Sequence, residues 1–64
     1  MILVTIELDA STVWDGMLVA VPHVGDSITV PGIGRILRVV MVSWLLPHEN
    51  ISHRERASAR VYTQ

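Results

Sequence analysis

The sequence predicts an all-β fold, built as one small domain of about five short strands. Three observations carry that expectation. The chain is 64 residues long, with no internal repeat and no low-complexity tract, so residues 1–64 form a single domain. Its apolar residues are chiefly Val, Ile and Leu at a period of two, the spacing of strands with one covered face. Its four glycines and three prolines break that pattern at short intervals.

The first strand is the clearest. In residues 2–9, ILVTIELD, the side chains of Ile2, Val4, Ile6 and Leu8 share one parity, and Leu3, Thr5, Glu7 and Asp9 the other. Ile, Val and Thr are stiff at χ1 and mediocre helix formers, so strand wins over helix. Residues 10–16, ASTVWDG, read as a loop, because Asp15-Gly16 is a turn dipeptide and glycine accepts positive φ without steric cost. Residues 17–22 read as a second strand, which Pro22 ends or holds at an edge because it lacks an N–H.

A corner follows, VPHVGDSITVPGIGR, over residues 21–35. Gly25 takes the left-handed conformation, and Asp26 accepts a backbone N–H to close the turn. Residues 27–30 then alternate as a short strand with Ile28 and Val30 inward. Val30-Pro31-Gly32-Ile33 fits a type II turn: proline presets φ at the second position and glycine supplies positive φ at the third. Gly34 lets the chain leave the corner.

Residues 35–46, RILRVVMVSWLL, make the longest element. Leu37, Val39 and Met41 form one face, and Val40, Val42 and Trp44 the other. Both faces are mostly apolar, unlike a regular strand with one wet face. Three explanations fit. A bulge switches faces where the strand bends, a partner subunit covers both faces, or the segment is a buried helix, which its valine content disfavours. Residues 47–57, PHENISHRERA, are the one long hydrophilic stretch and read as an exposed loop. Residues 58–64, SARVYTQ, close the chain as a strand, with Ala59, Val61 and Thr63 on one side and Arg60 and Tyr62 on the other.

Composition narrows the function classes. Half of the residues are hydrophobic, yet only Trp14, Trp44 and Tyr62 are aromatic, so Val, Ile, Leu and Met must build the core. A domain this short buries only about 60% of the surface its unfolded chain exposes, and a disulfide, a metal or a partner subunit commonly makes up the deficit. Cysteine is absent, which excludes the first and permits a reducing, cytoplasmic location. No basic residue precedes the apolar stretch of residues 1–9, and no signal-peptide cleavage pattern follows it. The longest apolar run, residues 39–46, is broken only by Ser43 and falls far short of the roughly 20 residues a bilayer span needs. The expectation is a soluble cytoplasmic protein with no membrane partner. A net charge of −1 argues against a protein whose affinity rests on neutralising phosphates. All five basic residues are arginine: Arg35, Arg38, Arg54, Arg56 and Arg60. That is either the bias of a GC-rich genome or a demand for planar forks that grip carboxylates, phosphates and base planes.

Two motifs give the chain a likeness. P-x-V-G-D-x-I from Pro22 to Ile28, followed by G-R-I-x-R-V-V-x-V-x-W from Gly34 to Trp44, resembles short bacterial and phage proteins with an SH3-like fold. The likeness covers about residues 21–44. It implies a single small SH3-like barrel of about five antiparallel strands, and a bacterial or mobile-element origin. SH3-like barrels host peptide binding, nucleic-acid binding, ribosomal roles and assembly, so the fold does not choose among them. The chain lacks the run of aromatics that makes a groove for proline-rich peptides.

No catalytic constellation is present in the sequence, and the expectation is a protein that is not an enzyme. His48, Glu49 and His53 spell H-E-x3-H, one residue too long for the helical zinc-protease pair. In a loop they can still ligate a metal, but solvated polar side chains are the simpler account, and no metal or cofactor is expected. His23 reads as a turn residue, and Asp9, Asp15 and Asp26 as turn-closing ones. Ser43 has no base near it in sequence, and Gly32-Ile33-Gly34 lacks the lysine or helix of a phosphate loop.

Two partner classes remain. Too many apolar positions compete for too small an interior, and a large exposed apolar patch marks an interface. The preferred expectation is therefore a self-assembling interaction module, a homo-oligomer with Trp14, Met41, Trp44 and Leu46 at its interface. A different protein partner is the same surface's other use. The alternative is a barrel that binds single-stranded nucleic acid, with Arg38, Arg60 and Tyr62 beside Trp44 as basic rim and stacking platform.

Overall fold

Five strands and no helix make up the computed structural model, which describes residues 1–46 and 57–64. The strands are β1 (Ile2–Leu8), β2 (Ser11–Leu18), β3 (Ser27–Thr29), β4 (Ile36–Leu45) and β5 (Ser58–Thr63). They form one sheet in the order β2-β1-β5-β4-β3, curled into a half-barrel. The all-β expectation holds, and β4 removes the helical explanation for residues 35–46. The pairs β1–β2, β3–β4 and β4–β5 are antiparallel, but β1 and β5 run parallel. An all-antiparallel barrel is thus corrected at one seam. The connection after β2 carries the chain to the opposite edge of the sheet before β3 begins. Two reversals later, β5 arrives beside β1 pointing the same way. Among the described residues, no helix is long and apolar enough to cross a membrane.

The first hairpin starts earlier than the turn dipeptide suggests. Leu8 stands opposite Ser11, and the two residues between them, Asp9 and Ala10, have φ of 51° and 64°. Two consecutive left-handed residues match the strand twist of a tight hairpin. Residues 11–16 are therefore strand rather than loop, and this strand stops at Leu18 instead of reaching Pro22. Asp15 lies mid-strand opposite Thr5. Gly16 faces inward opposite Val4, and a Cβ there would lie 2.7 Å from the Trp14 ring. Glycine at 16 leaves room for an indole; it does not turn the chain. A register shift after Ile6 leaves Val13 as an extra residue in β2, a bulge that adds to the curl.

The corner follows its turn chemistry. Gly25 has φ of 95°, and Asp26 Oδ2 accepts the His23 N–H at 2.8 Å. Gly32 has φ of 86°, and the Ile33 N–H reaches the Val30 carbonyl at 3.2 Å. Two further bonds, Gly25 N–H to the Val39 carbonyl and Val39 N–H to the Asp26 carbonyl, both 2.9 Å, fasten the first turn to β4.

A bulge explains the two apolar faces of β4. Val39 pairs with Thr63 and Met41 with Tyr62, so Val40 is the extra residue. Before it, Leu37 and Val39 are buried; after it, the inward positions pass to Val42 and Trp44, opposite Val61 and Ala59. Met41 moves outside, away from the face it would share with Leu37 and Val39 in a regular strand. The core is Val4, Ile6, Val30, Leu37, Val39 and Val61, with Ala59 also buried. Each large aliphatic side chain in it contributes about 1.5–3 kcal/mol of transfer free energy. Thr63 is the one buried polar residue among those described, and its hydroxyl donates to the Glu7 carbonyl at 2.8 Å.

Candidate functional site

The half-barrel leaves two surfaces with distinct chemistry. The first is the far half of β4. Of the eleven exposed large hydrophobic residues among those described, five fall within residues 40–46: Val40, Met41, Trp44, Leu45 and Leu46. Past the bulge the strand still pairs with β5, but β3 reaches only to Arg38. Trp44 is 48% exposed and Leu46 71% exposed. With Val21, Pro22, Val24 and Val42, Trp44 borders a recess of about 310 Å³.

Met41, Trp44 and Leu46 therefore gather on one stretch of chain, although on both faces of it. Trp14 stands apart from them. It faces inward opposite Ile6, half-buried against the core. There it lines a separate cleft of about 360 Å³ between β2 and β3, with Leu18, Pro22 and Ile28.

The second surface is the outer face of β1, β5 and β4. Arg38 and Gln64 exchange backbone hydrogen bonds at 3.0 Å, Tyr62 lies opposite Met41, and Arg60 opposite Ser43. Arg38, Tyr62 and Arg60 thus follow one another along one seam, all outward. On the other side of β5, Glu7 is beside Tyr62 and Thr5 beside Arg60. Glu7 Oε1 sits 3.6 Å from Arg60 Nε, and its side chain is only 14% exposed against 58% for Arg60. The second carboxylate oxygen, Oε2, is buried without a hydrogen-bond partner among the described residues. Sequence parity puts Glu7 on the wet face and so misses this shelter. The only available signal was opposite charge at Arg60, which needs the parallel β1–β5 register to mean anything.

Other polar candidates do not converge. His23 is exposed in its turn, which Asp26 closes, Asp9 sits in the turn between β1 and β2, and Asp15 lies on β2. Among the described residues no group of three or more His, Cys, Asp or Glu is placed to hold a metal ion. His48, Glu49 and His53 lie outside the described residues, as does the loop reading for residues 47–56. No protein family, curated protein or solved structure matches the chain. What the surfaces can do is therefore a matter of their geometry and chemistry alone.

Proposed function

We propose that this chain is a non-catalytic interaction module that associates with itself through the far half of β4. The observation that supports it is the concentration of exposed apolar side chains in residues 40–46, on both faces of one strand. A one-layer half-barrel cannot cover both faces of that stretch. Wet apolar surface forgoes about 25 cal/mol for each Å². A two-fold axis lets the same patch on two copies cover itself. The strand edge favours the same solution. Among the described residues, residues 40–45 make backbone hydrogen bonds on the β5 side only, which leaves an edge open to pair with a copy.

Sedimentation velocity at micromolar concentration tests the proposal. The expected mass exceeds one chain, and Trp44→Glu and Leu46→Glu shift it towards one chain. Leu46 is the safer site, since its exposure means that a charge there leaves the lone subunit folded. A wild-type chain that sediments as one subunit across the micromolar range overturns the proposal.

A second reading has its own support. Arg38, Tyr62 and Arg60 form a basic and aromatic strip on the outer face, the kind of surface along which a single strand stacks. Glu7 on the neighbouring β1, and Asp15 one strand further out on β2, weaken its field. Fluorescence anisotropy with a short labelled single strand decides. Binding at low salt that fades with salt and with Arg60→Gln supports the strip, and no binding at low salt disposes of it.

A further inference from the structure

The outer face carries one more feature. Near the end of the sheet, where β1, β5 and β4 lie side by side, a recess of about 360 Å³ opens around Arg60. Thr5 and Ser43 flank Arg60 at the same register position on the neighbouring strands, and Ser58 is two residues back on its own. Tyr62 and Trp44 also border the recess, and Leu3 and Leu45 make its apolar end. From this juxtaposition we infer that the recess binds a small aromatic anion, a planar ring carrying a carboxylate or a phosphate ester.

Each part of such a ligand has a counterpart. The Arg60 guanidinium presents a planar fork that fits a carboxylate or phosphate. Glu7 reaches it at 3.6 Å through Nε, well beyond the roughly 2.7–2.9 Å of a strong charge-assisted bond. That contact holds the arginine in place without fully satisfying it. Hydroxyls from Thr5, Ser43 and Ser58 each offer a donor to the remaining anion oxygens. The Tyr62 ring and the side chains of Leu3 and Leu45 cover the ligand's ring. The volume sits at the small end of ligand pockets, about 300–1,000 Å³, which suits one ring and its anion. An inorganic anion would leave the apolar wall wet, and a neutral ring would leave Arg60 and the hydroxyls unmatched. The negative charge of Glu7 behind Arg60 disfavours a long polyphosphate.

The recess shares Trp44 and Leu45 with the exposed apolar stretch of β4. Its test therefore leaves Trp44 and Leu45 alone. The full ¹⁵N-labelled chain is titrated with phenyl phosphate, benzoate, uridine monophosphate, inorganic phosphate and benzyl alcohol, and amide shifts are followed. The three aromatic anions should shift Thr5, Ser43 and Arg60 saturably. Inorganic phosphate and benzyl alcohol should bind at least about tenfold more weakly, and Arg60→Gln should weaken the anions by about tenfold, as loss of a charge-assisted partner implies. Ser43→Ala should weaken them less. The tightest of the three names the source, with benzoate pointing to aromatic carboxylates and uridine monophosphate to nucleotides. Equal binding of benzyl alcohol, shifts centred elsewhere, or an unaltered Arg60→Gln variant overturns the inference.

Discussion

A single hydrogen atom at position 16 decides where Trp14 can lie. In an extended strand, replacing glycine with alanine ordinarily stabilises by about 0.4–1 kcal/mol, because the unfolded chain loses freedom. At Gly16 the added carbon would stand 2.7 Å and 2.9 Å from two atoms of the indole. Overpacking of this kind costs about 1–3 kcal/mol, and the ring is held against the core, so the clash wins. Gly16→Ala should therefore lower stability by about 1–2 kcal/mol in a urea melt. The loss should shrink in a Trp14→Leu background, where nothing occupies the space. A raised midpoint for the single variant would show that the indole moves aside freely. The same residue shows what a local signal can and cannot say. Gly25, Gly32 and Asp26 were legible because a turn is closed within four residues. Asp15-Gly16 carries an identical signal, but its glycine answers to a side chain two positions away, and only the folded strand reveals which use applies.

At the scale of the element, the hairpin between β1 and β2 was hidden by one residue. Asp-Gly is the strong two-residue hairpin signal, and the chain has Asp9-Ala10 instead. Alanine in the left-handed region costs about 1–2 kcal/mol, offset in part by the greater backbone entropy that glycine would lose. Ala10→Gly should thus stabilise by about 0.5–1 kcal/mol and raise the thermal midpoint by a few degrees. A lowered midpoint would mean that the tight turn is misassigned. In β4 the alternation showed that the faces switch, but the position of the switch, Val40, comes from pairing with β5. Deleting Val40 would close the bulge and leave Met41, Val42 and Trp44 on their present faces, because Val39 and Met41 already stand opposite the consecutive residues Thr63 and Tyr62. That deletion should cost far less than deleting Ser43, which breaks the alternation within the paired strand and turns the side chains on one side of the gap to the opposite face, in parallel melts. Equal costs would argue against the bulge. The parallel β1–β5 pair was out of reach of any local pattern, since strand direction depends on where the connection after β2 lands.

At the scale of the whole molecule, the buried core formed by the described residues holds no aromatic residue and no side chain larger than leucine or isoleucine. A core of that size stabilises a domain by only a few kcal/mol on its own. If pairing along residues 40–46 adds to it, stability becomes a function of protein concentration, because assembly favours the folded state by mass action. A hundredfold rise in concentration should then stabilise a dimer by about 2.7 kcal/mol, seen as a thermal midpoint that climbs with concentration. Leu46→Glu separates this from ordinary surface effects. In a lone subunit the substitution is a change at an exposed site, within about 0.5 kcal/mol of neutral. In an assembly it places a charge in the covered patch and flattens the concentration dependence. The dilute midpoint of the variant should therefore match that of the wild type, while the concentrated midpoints diverge. A wild-type midpoint that ignores concentration would leave Trp44 and its neighbours as the bare surface of a single subunit, and the self-association proposal would fall with it.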